Sequence, residues 1–258
     1  MSDLVSTRTG RIVTVTLNRP AQRNAFSIAL MRELTQFARS MELNHDTDVV
    51  IVTGTPNYFS AGADLRDPVR WEAESKPLAE QRDIAAAGFR LCKAWEEMPQ
   101  ITIAAIEGYA IGGGLAFSLA CDWRVLAQDA YVRLPEIALG FPLTWGTIPR
   151  IVNMAGPATA KRIVILCERI ESEAALAMGL VDYLAPRGRT VPRAHEIAAQ
   201  VLSMPRASVR MSKETINTLA GLYTAIGSHA SGEQFMLASR DPESRAARRG
   251  AVDKTIKT

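Results

Sequence analysis

Three consecutive glycines, Gly112-Gly-Gly114, stand between an extended-looking apolar run (Ile101 to Ile106) and a small-residue helical pattern (Leu115 to Cys121). Across Gly108-Tyr-Ala-Ile-Gly-Gly-Gly-Leu-Ala-Phe-Ser-Leu-Ala-Cys-Asp122 the backbone must turn tightly and stay uncovered by side chains. N–H groups at a helix start are unpaired and carry the positive end of the dipole. Such a turn can therefore hold phosphate, carboxylate or a developing oxyanion.

The segments around this turn predict a layered α/β protein. Arg11 to Leu17 alternates as a strand with one wetter face, and Asn18-Arg-Pro-Ala-Gln-Arg-Asn24 stops it. Ser27 then caps a helix running to about Asn44, with Ile28, Met31, Leu34 and Phe37 on one face. Asp48-Val-Val-Ile-Val-Thr-Gly54 is apolar and β-branched, as a strand covered on both faces should be. A second glycine-containing loop, Thr55 to Leu65, leads into a charged, proline-containing excursion (Arg66 to Glu80) that could cover a site. Helical spacing returns from Gln81 to Met98, and further strands are expected at Ile101–Ile106, Asp122–Leu126 and Tyr131–Leu134. From Pro157 onward the pattern is almost wholly helical: Pro157–Cys167, Ser172–Met178, Val191–Ser203, Ser208–Leu219 and a long segment around Ala225–Arg249. Gly179 to Leu184 is the one strand-like interruption. The expected organisation is an α/β core over 1–190 and a helical region over 191–258.

Bulk properties exclude several classes. The 258 residues are 47% hydrophobic and 22% charged, enough for one sizeable core, and a net charge of +3 is too mild to imply nucleic acid. The basic tail (Arg240, Arg245, Arg248, Arg249, Lys254, Lys257) reads as a solvated helix surface or subunit contact in preference to a phosphate site. Cys92, Cys121 and Cys167 lie far apart in apolar helical patterns without zinc spacing, as reduced core residues of a cytoplasmic protein would. The N-terminus lacks a basic region followed by an apolar stretch. No run approaches the ~18 apolar residues of a membrane span, so no membrane partner is expected.

There is no dinucleotide fingerprint, phosphate loop, zinc-protease motif or nucleophile elbow. His45, His195 and His229 sit in polar or late helical contexts, which argues against a histidine triad, and no metal site is expected. What remains is two glycine/alanine loops able to donate backbone N–H groups and one carboxylate, Glu136, in Leu134-Pro-Glu-Ile137. That set suits stabilisation of an enolate or tetrahedral oxyanion, with Glu136 moving the proton. Apolar neighbours (Leu134, Ile137, Phe141, Trp145) would raise its pKa toward neutrality.

The chain resembles the crotonase, or enoyl-CoA hydratase/isomerase, superfamily over nearly its whole length. The matching segments are Leu17-Asn-Arg-Pro…Asn24-Ala, Val50-Ile-Val-Thr-Gly…Phe59-Ser-Ala-Gly-Ala-Asp-Leu65, Ile106-Glu-Gly-Tyr-Ala-Ile-Gly-Gly-Gly…Cys121-Asp, Pro135-Glu-Ile…Leu139-Gly, Ala174-Ala…Gly179-Leu-Val-Asp and Ser212-Lys-Glu. The resemblance implies a fold of repeated ββα units with a C-terminal helical region mediating trimer formation, as a homotrimer or homohexamer. It also implies an acyl-CoA thioester substrate, with coenzyme A entering as part of the substrate and no separate cofactor. The thioester oxygen would sit between the amides of Ala63 and Gly113, and the Ala61 backbone would contact the adenine. Arg23 and Arg66 would contact CoA phosphates. Asp64 and Gly112, which adjoin the two amides in sequence, are counted among the substrate-binding residues.

Two departures bear on the reaction. Hydratases similar to crotonase carry a second glutamate where this chain has Ala116, so only Glu136 remains. One base suffices to shuttle a proton between two carbons, so double-bond isomerisation is favoured. Hydration or hydratase/lyase action on a bulky acyl-CoA, and non-catalytic acyl-CoA binding, are the alternatives. A second carboxylate from the excursion (Asp67, Glu72 or Glu74) would revive hydration. Leu143-Thr144 replaces the usual Pro-Gly. Thr144 could offer its hydroxyl to water or substrate, though a helix N-cap is the favoured role. Trp145, Phe141 and Phe117 could shape the acyl pocket or belong to the core.

Overall fold

The computed structural model describes residues 2–228, 231–238 and 240–256. His229 and Lys257 lie outside the described residues, as do the side chains of Glu74 and Lys254. In chain order the first half comprises β1 (Leu4–Thr9), β2 (Ile12–Leu17), α1 (Ile28–Ser40), β3 (Val49–Thr53), α2 (Pro68–Glu72), α3 (Leu78–Ala85), α4 (Ala87–Glu96), β4 (Ile101–Ile106), β5 (Tyr109–Ile111), α5 (Gly113–Ser118), β6 (Trp123–Ala127) and β7 (Tyr131–Arg133). The second half comprises α6 (Thr147–Leu166), β8 (Arg169–Glu171), α7 (Ser172–Ala177), β9 (Tyr183–Ala185), α8 (Thr190–Leu202), α9 (Arg206–Gly227), α10 (Ser231–Ala238) and α11 (Pro242–Ile256).

The main sheet has the order β1-β2-β3-β4-β6-β9, parallel throughout except for the β1–β2 hairpin. Strand alternation divides its residues between two cores. Val13, Val15, Leu17, Val50, Val52, Ala104, Ile106 and Leu126 face α1, α4 and α5. Ile12, Val49, Ile51, Ile101, Ile103, Ala105 and Val125 meet Ala194, Ile197 and Ala198 of α8. Cover on both faces is why β3 and β4 are apolar at consecutive positions. A second sheet, β5-β7-β8, pairs β5 with β7 in parallel and β7 with β8 antiparallel.

Local signals explain several boundaries. Ser27 Oγ accepts from Leu30 N at 3.1 Å and starts α1. The expected helix over Gln81–Met98 is instead two: α3 buries none of its residues, whereas α4 buries Leu91, Cys92 and Trp95. The expected Pro157–Cys167 helix is the second limb of α6, which breaks at Gly156 (φ 76°, ψ 164°) just before Pro157. Strands β1 and β8 add to the expected elements: both lie at sheet edges, β1 exposed along almost its whole length and β8 only three residues long, so neither carries a readable buried face. The long segment expected around Ala225–Arg249 is divided between α9, α10 and α11.

Several conspicuous motif residues serve the frame. Glu107, between β4 and β5, accepts from Gly188 N (3.1 Å), Thr190 N (3.2 Å) and Thr190 Oγ1 (2.7 Å), closing the start of α8. Lys213 of α9 donates to Gln100 O (2.7 Å) and Asp122 Oδ2 (2.6 Å). The three cysteines are free and buried, and burial pushes the Cys92 and Cys121 thiols up to about 12, which keeps them inert. The last two helices return to the body of the chain. Arg82 of α3 pairs with Glu233 of α10 at 2.8 Å, Phe235 stacks on Phe141 (5.7 Å, 7°), and Arg248 Nε donates to Gly140 O at 3.1 Å.

Candidate active site

The pairing of β5 with β7 positions Glu136. Ile111 lies opposite Arg133, and Gly112 N donates to Arg133 O at 2.8 Å, which brings the Pro135-Glu136 segment against the glycine turn. A Cβ on Gly112 would stand 2.6 Å from Glu136 Oε1, and Gly112 has φ 52°. Glycine is therefore required there both for space and for conformation. Glu136 leads into a single 3-10 turn, Ile137–Leu139. The residue as a whole keeps some surface, yet its Oε2 is buried without a hydrogen-bond partner. Burial disfavours the charged form and raises the Glu136 pKa to about 7.

A second set of pairings carries the other loop to the same place. Phe59 N and Ser60 N donate to Tyr109 O (3.0 and 3.3 Å), and Ile111 N donates to Ser60 O at 3.0 Å. Phe26 bridges Ala63 in parallel: Phe26 N donates to Gly62 O at 2.7 Å and Asp64 N to Phe26 O at 3.0 Å. By strand alternation the Ala63 N–H is turned away from Phe26. A Cβ on Gly62 would be 3.3 Å from Gly113 N, so the two loops touch. Gly113 opens α5, where an N–H has no intrahelical acceptor.

A cavity of about 100 Å³ collects these groups. Of the residues expected at the site, Ala61, Ala63, Gly112, Gly113, Glu136, Thr144 and Trp145 line it together. The Trp145 indole forms part of its wall, held between Gly88 of α4 and Gly113 of α5. A Cβ at Gly88 would overlap the ring, and one at Gly113 would come within 2.6 Å of it. Phe26 meets the same ring edge-on at 5.8 Å, and Arg150, paired with Glu96, donates to Trp145 O at 2.8 Å. Phe141 also lines the cavity, whereas Phe117 is fully buried in the core against Phe26 and Trp95.

Thr144 departs from the helix-cap expectation. The residue before α6 is Gly146, and Thr144 takes part through its carbonyl, which accepts from Thr147 N (3.2 Å) and Thr147 Oγ1 (2.7 Å). Its hydroxyl has no hydrogen bond among the described residues.

Three expected substrate-binding residues do not line this cavity. Asp64 is buried against Arg19 (3.0 Å) and accepts from Arg66 N at 3.0 Å. Arg23 and Arg66 are exposed and do not line the cavity, although Arg23 O accepts from Ala61 N at 3.0 Å. The excursion supplies no second carboxylate among the described side chains. Asp67 accepts from Ile28 N (2.7 Å) and Val69 N (3.0 Å), fastening α2 to the start of α1, and Glu72 is exposed. Among the described residues Glu136 is the one carboxylate lining the cavity, and Ala116 lines it too.

Sequence reasoning did not single out Arg70 or Phe235, which also line this cavity. Only the cluster of arginines in the tail carried a signal. Its reading as solvated surface is overturned for Arg248, which is buried with its guanidinium over Phe141 (4.8 Å) and Phe235 (5.9 Å).

Comparison with known proteins agrees with this geometry. The 2,3-dehydroadipyl-CoA hydratase of Escherichia coli (strain K12) is 30% identical over 219 residues, covering 84% of this chain and 82% of its own. An enoyl-CoA hydratase crystal structure from Bacillus anthracis superposes with a TM-score of 0.77 at 30% identity, covering 93% of each chain. One from Bacillus halodurans reaches 0.88 at 19% identity, covering 96% of this chain and all of its own, a likeness of fold. The family model described as Enoyl-CoA hydratase/isomerase matches residues 7–253. With two glycine loops joined beside a buried glutamate and a match across almost the entire length, the chain belongs to the enoyl-CoA hydratase/isomerase family.

Proposed function

We propose that the protein isomerises the double bond of an enoyl-CoA thioester by a single-base proton shuttle. The thioester oxygen lies between the N–H groups of Ala63 and Gly113. Glu136 takes a proton from the carbon next to the thioester of a 3-enoyl-CoA, and the charge spreads onto the oxygen held by the two amides. Glu136 then returns the proton two carbons further on, leaving the conjugated 2-enoyl-CoA. The reaction is redox-neutral and needs coenzyme A only as part of the substrate. Each amide donor in such a hole contributes on the order of 10²–10³ in rate.

The observation that carries this reading is that, among the described residues, Glu136 is the one carboxylate lining the cavity, with Ala116 where a second would be needed. Burial supports it further, since a base with a pKa of about 7 exchanges protons efficiently near neutrality. Hydration, the reaction in the names of several relatives, is the second reading. The uncommitted Thr144 hydroxyl on the cavity wall favours it, because it could hold a water. Trp145 and Phe141 would suit a bulky acyl group in either case.

We also propose assembly into a trimer or hexamer. Met211, Ile216, Leu219 and Leu222 leave an apolar surface exposed on α9, which would be costly in a lone chain. Sedimentation velocity giving only monomer would refute this.

The functional test supplies purified protein with 3-enoyl- and 2-enoyl-CoA thioesters of equal length. Isomerisation is expected to exceed hydration, with both lost in Glu136→Gln. Faster hydration than isomerisation would overturn the reading.

A further inference from the structure

Next to the Glu136 cavity lies a larger one, of about 300 Å³. The two share Leu65, Arg70, Phe141, Trp145 and Phe235 in their linings, so an acyl chain passing Glu136 has this space ahead of it. Part of its wall is apolar, including Met31 and Ile84, as a hydrocarbon chain requires. The rest is unusual for a fatty tail: Arg70, Arg240, Arg245 and Arg248 all line it, and among the described residues no aspartate or glutamate does.

Arg70 is the informative member. Its Nε is buried without a hydrogen-bond partner, and its guanidinium has no ion pair among the described residues. The nearby acids are already committed, Asp67 to the amides of Ile28 and Val69, Asp64 to Arg19 and the Arg66 amide. Desolvation consequently lowers the Arg70 pKa, with Asp67 and Asp64 offsetting only part of the effect. A buried guanidinium is costly unless an anion completes it, and its planar fork fits a carboxylate with two parallel hydrogen bonds. Arg248 is held in place by its rings and by Gly140 O, which keeps a second positive charge on the same wall.

We propose that the acyl group carried by the thioester ends in a carboxylate, which pairs with Arg70 in the larger cavity while the reacting carbons lie beside Glu136. The proposal rests on the acyl-CoA reading of the Glu136 site and specifies its substrate class. Charge at the far end would set both the register of the chain and the preference among thioesters.

The test compares two enoyl-CoA thioesters of equal length, one ending in a carboxylate and one in a methyl group, by kcat/KM with wild type, Arg70→Met and Arg70→Lys. Wild type is expected to favour the carboxylated thioester by about 10- to 100-fold, the range of a charge-assisted bidentate contact. Arg70→Met should bring the ratio near one, chiefly through KM, and Arg70→Lys should leave it intermediate. Equal use of the two thioesters by wild type, or an equal loss on both in Arg70→Met, would overturn the proposal; the latter would assign Arg70 to coenzyme A or to the fold. If neither thioester is turned over, the isomerase reading fails separately. Calorimetric binding of the two saturated acyl-CoAs then decides: a carboxylate preference abolished in Arg70→Met upholds the proposal, and no preference overturns it.

Discussion

Replacing Glu136 by glutamine should change how stability depends on pH in a way calculable from burial. In the unfolded chain this carboxyl ionises near its ordinary 4.5, whereas in the folded chain burial holds the proton until about 7. Between those values the folded state binds more protons than the unfolded state, so stability falls as pH rises. Below 4.5 both states are protonated and nothing is lost; above about 7 both are ionised and the loss is complete. At about 1.4 kcal/mol per pH unit, the interval corresponds to a loss of about 3 kcal/mol. Glutamine has no proton to lose, and any constant cost of burying its amide cancels when the two pH curves are compared. Chemical denaturation at 25 °C from pH 4.5 to 8 is therefore expected to show Glu136→Gln gaining on wild type by about 3 kcal/mol, most of it between pH 5 and 7. In a chain of this size that corresponds to roughly 5–10 °C in Tm. Parallel stability curves would refute the reasoning, because they would mean that the carboxyl is not desolvated in the folded state.

The same burial predicts that kcat/KM rises with pH to a plateau above about 7, since the base must be ionised to accept a proton; a rise centred near 4.5 would contradict it. Gly88→Ala should force the Trp145 indole out of its slot, costing about 1–3 kcal/mol of stability and narrowing the cavity, measured by denaturation and by a raised KM. An unchanged KM would show that the ring does not limit the cavity. Ala116→Glu places a second carboxylate on the same wall, so hydration should gain relative to isomerisation. The pH midpoint of activity should also move upward through like-charge repulsion. No change in the product ratio would separate the lack of this carboxylate from the choice of reaction.

Much of this protein could be read from contiguous residues. The uninterrupted apolar runs of β3 and β4 declared strands covered on both faces, Ser27 declared the start of α1, and the glycine run declared a turn that leaves amides bare. Each is a short-range consequence of side-chain period or backbone freedom, which local sequence encodes directly. Glu136 stood out for a related reason, as a lone carboxylate in apolar company after a strand. Edge strands β1 and β8 escaped because β1 is exposed along almost its whole length and β8 has only three residues, too few to show a period. The break between α3 and α4 escaped because the alanines around Ala86 are strong helix formers that carry the helical pattern across it.

Only the tertiary structure decided what meets at the cavity. Ala63, Gly113 and Glu136 share a wall because β5 pairs with β7 and Phe26 bridges Ala63, contacts made by backbone groups that any sequence would carry. Asp64, inside the Thr55–Leu65 loop, and Asp67, just after it, are taken up by Arg19 and by the amides of Ile28 and Val69. Phe235 reaches the site, and Arg248 the larger cavity beside it, from the far end of the chain, where nothing local records the destination. The sequence by itself determined which backbone could turn bare and which carboxylate could serve as base. Whether that carboxylate was desolvated, and which arginines shared its neighbourhood, depended on long-range packing, because burial belongs to the assembled surfaces and to no single segment.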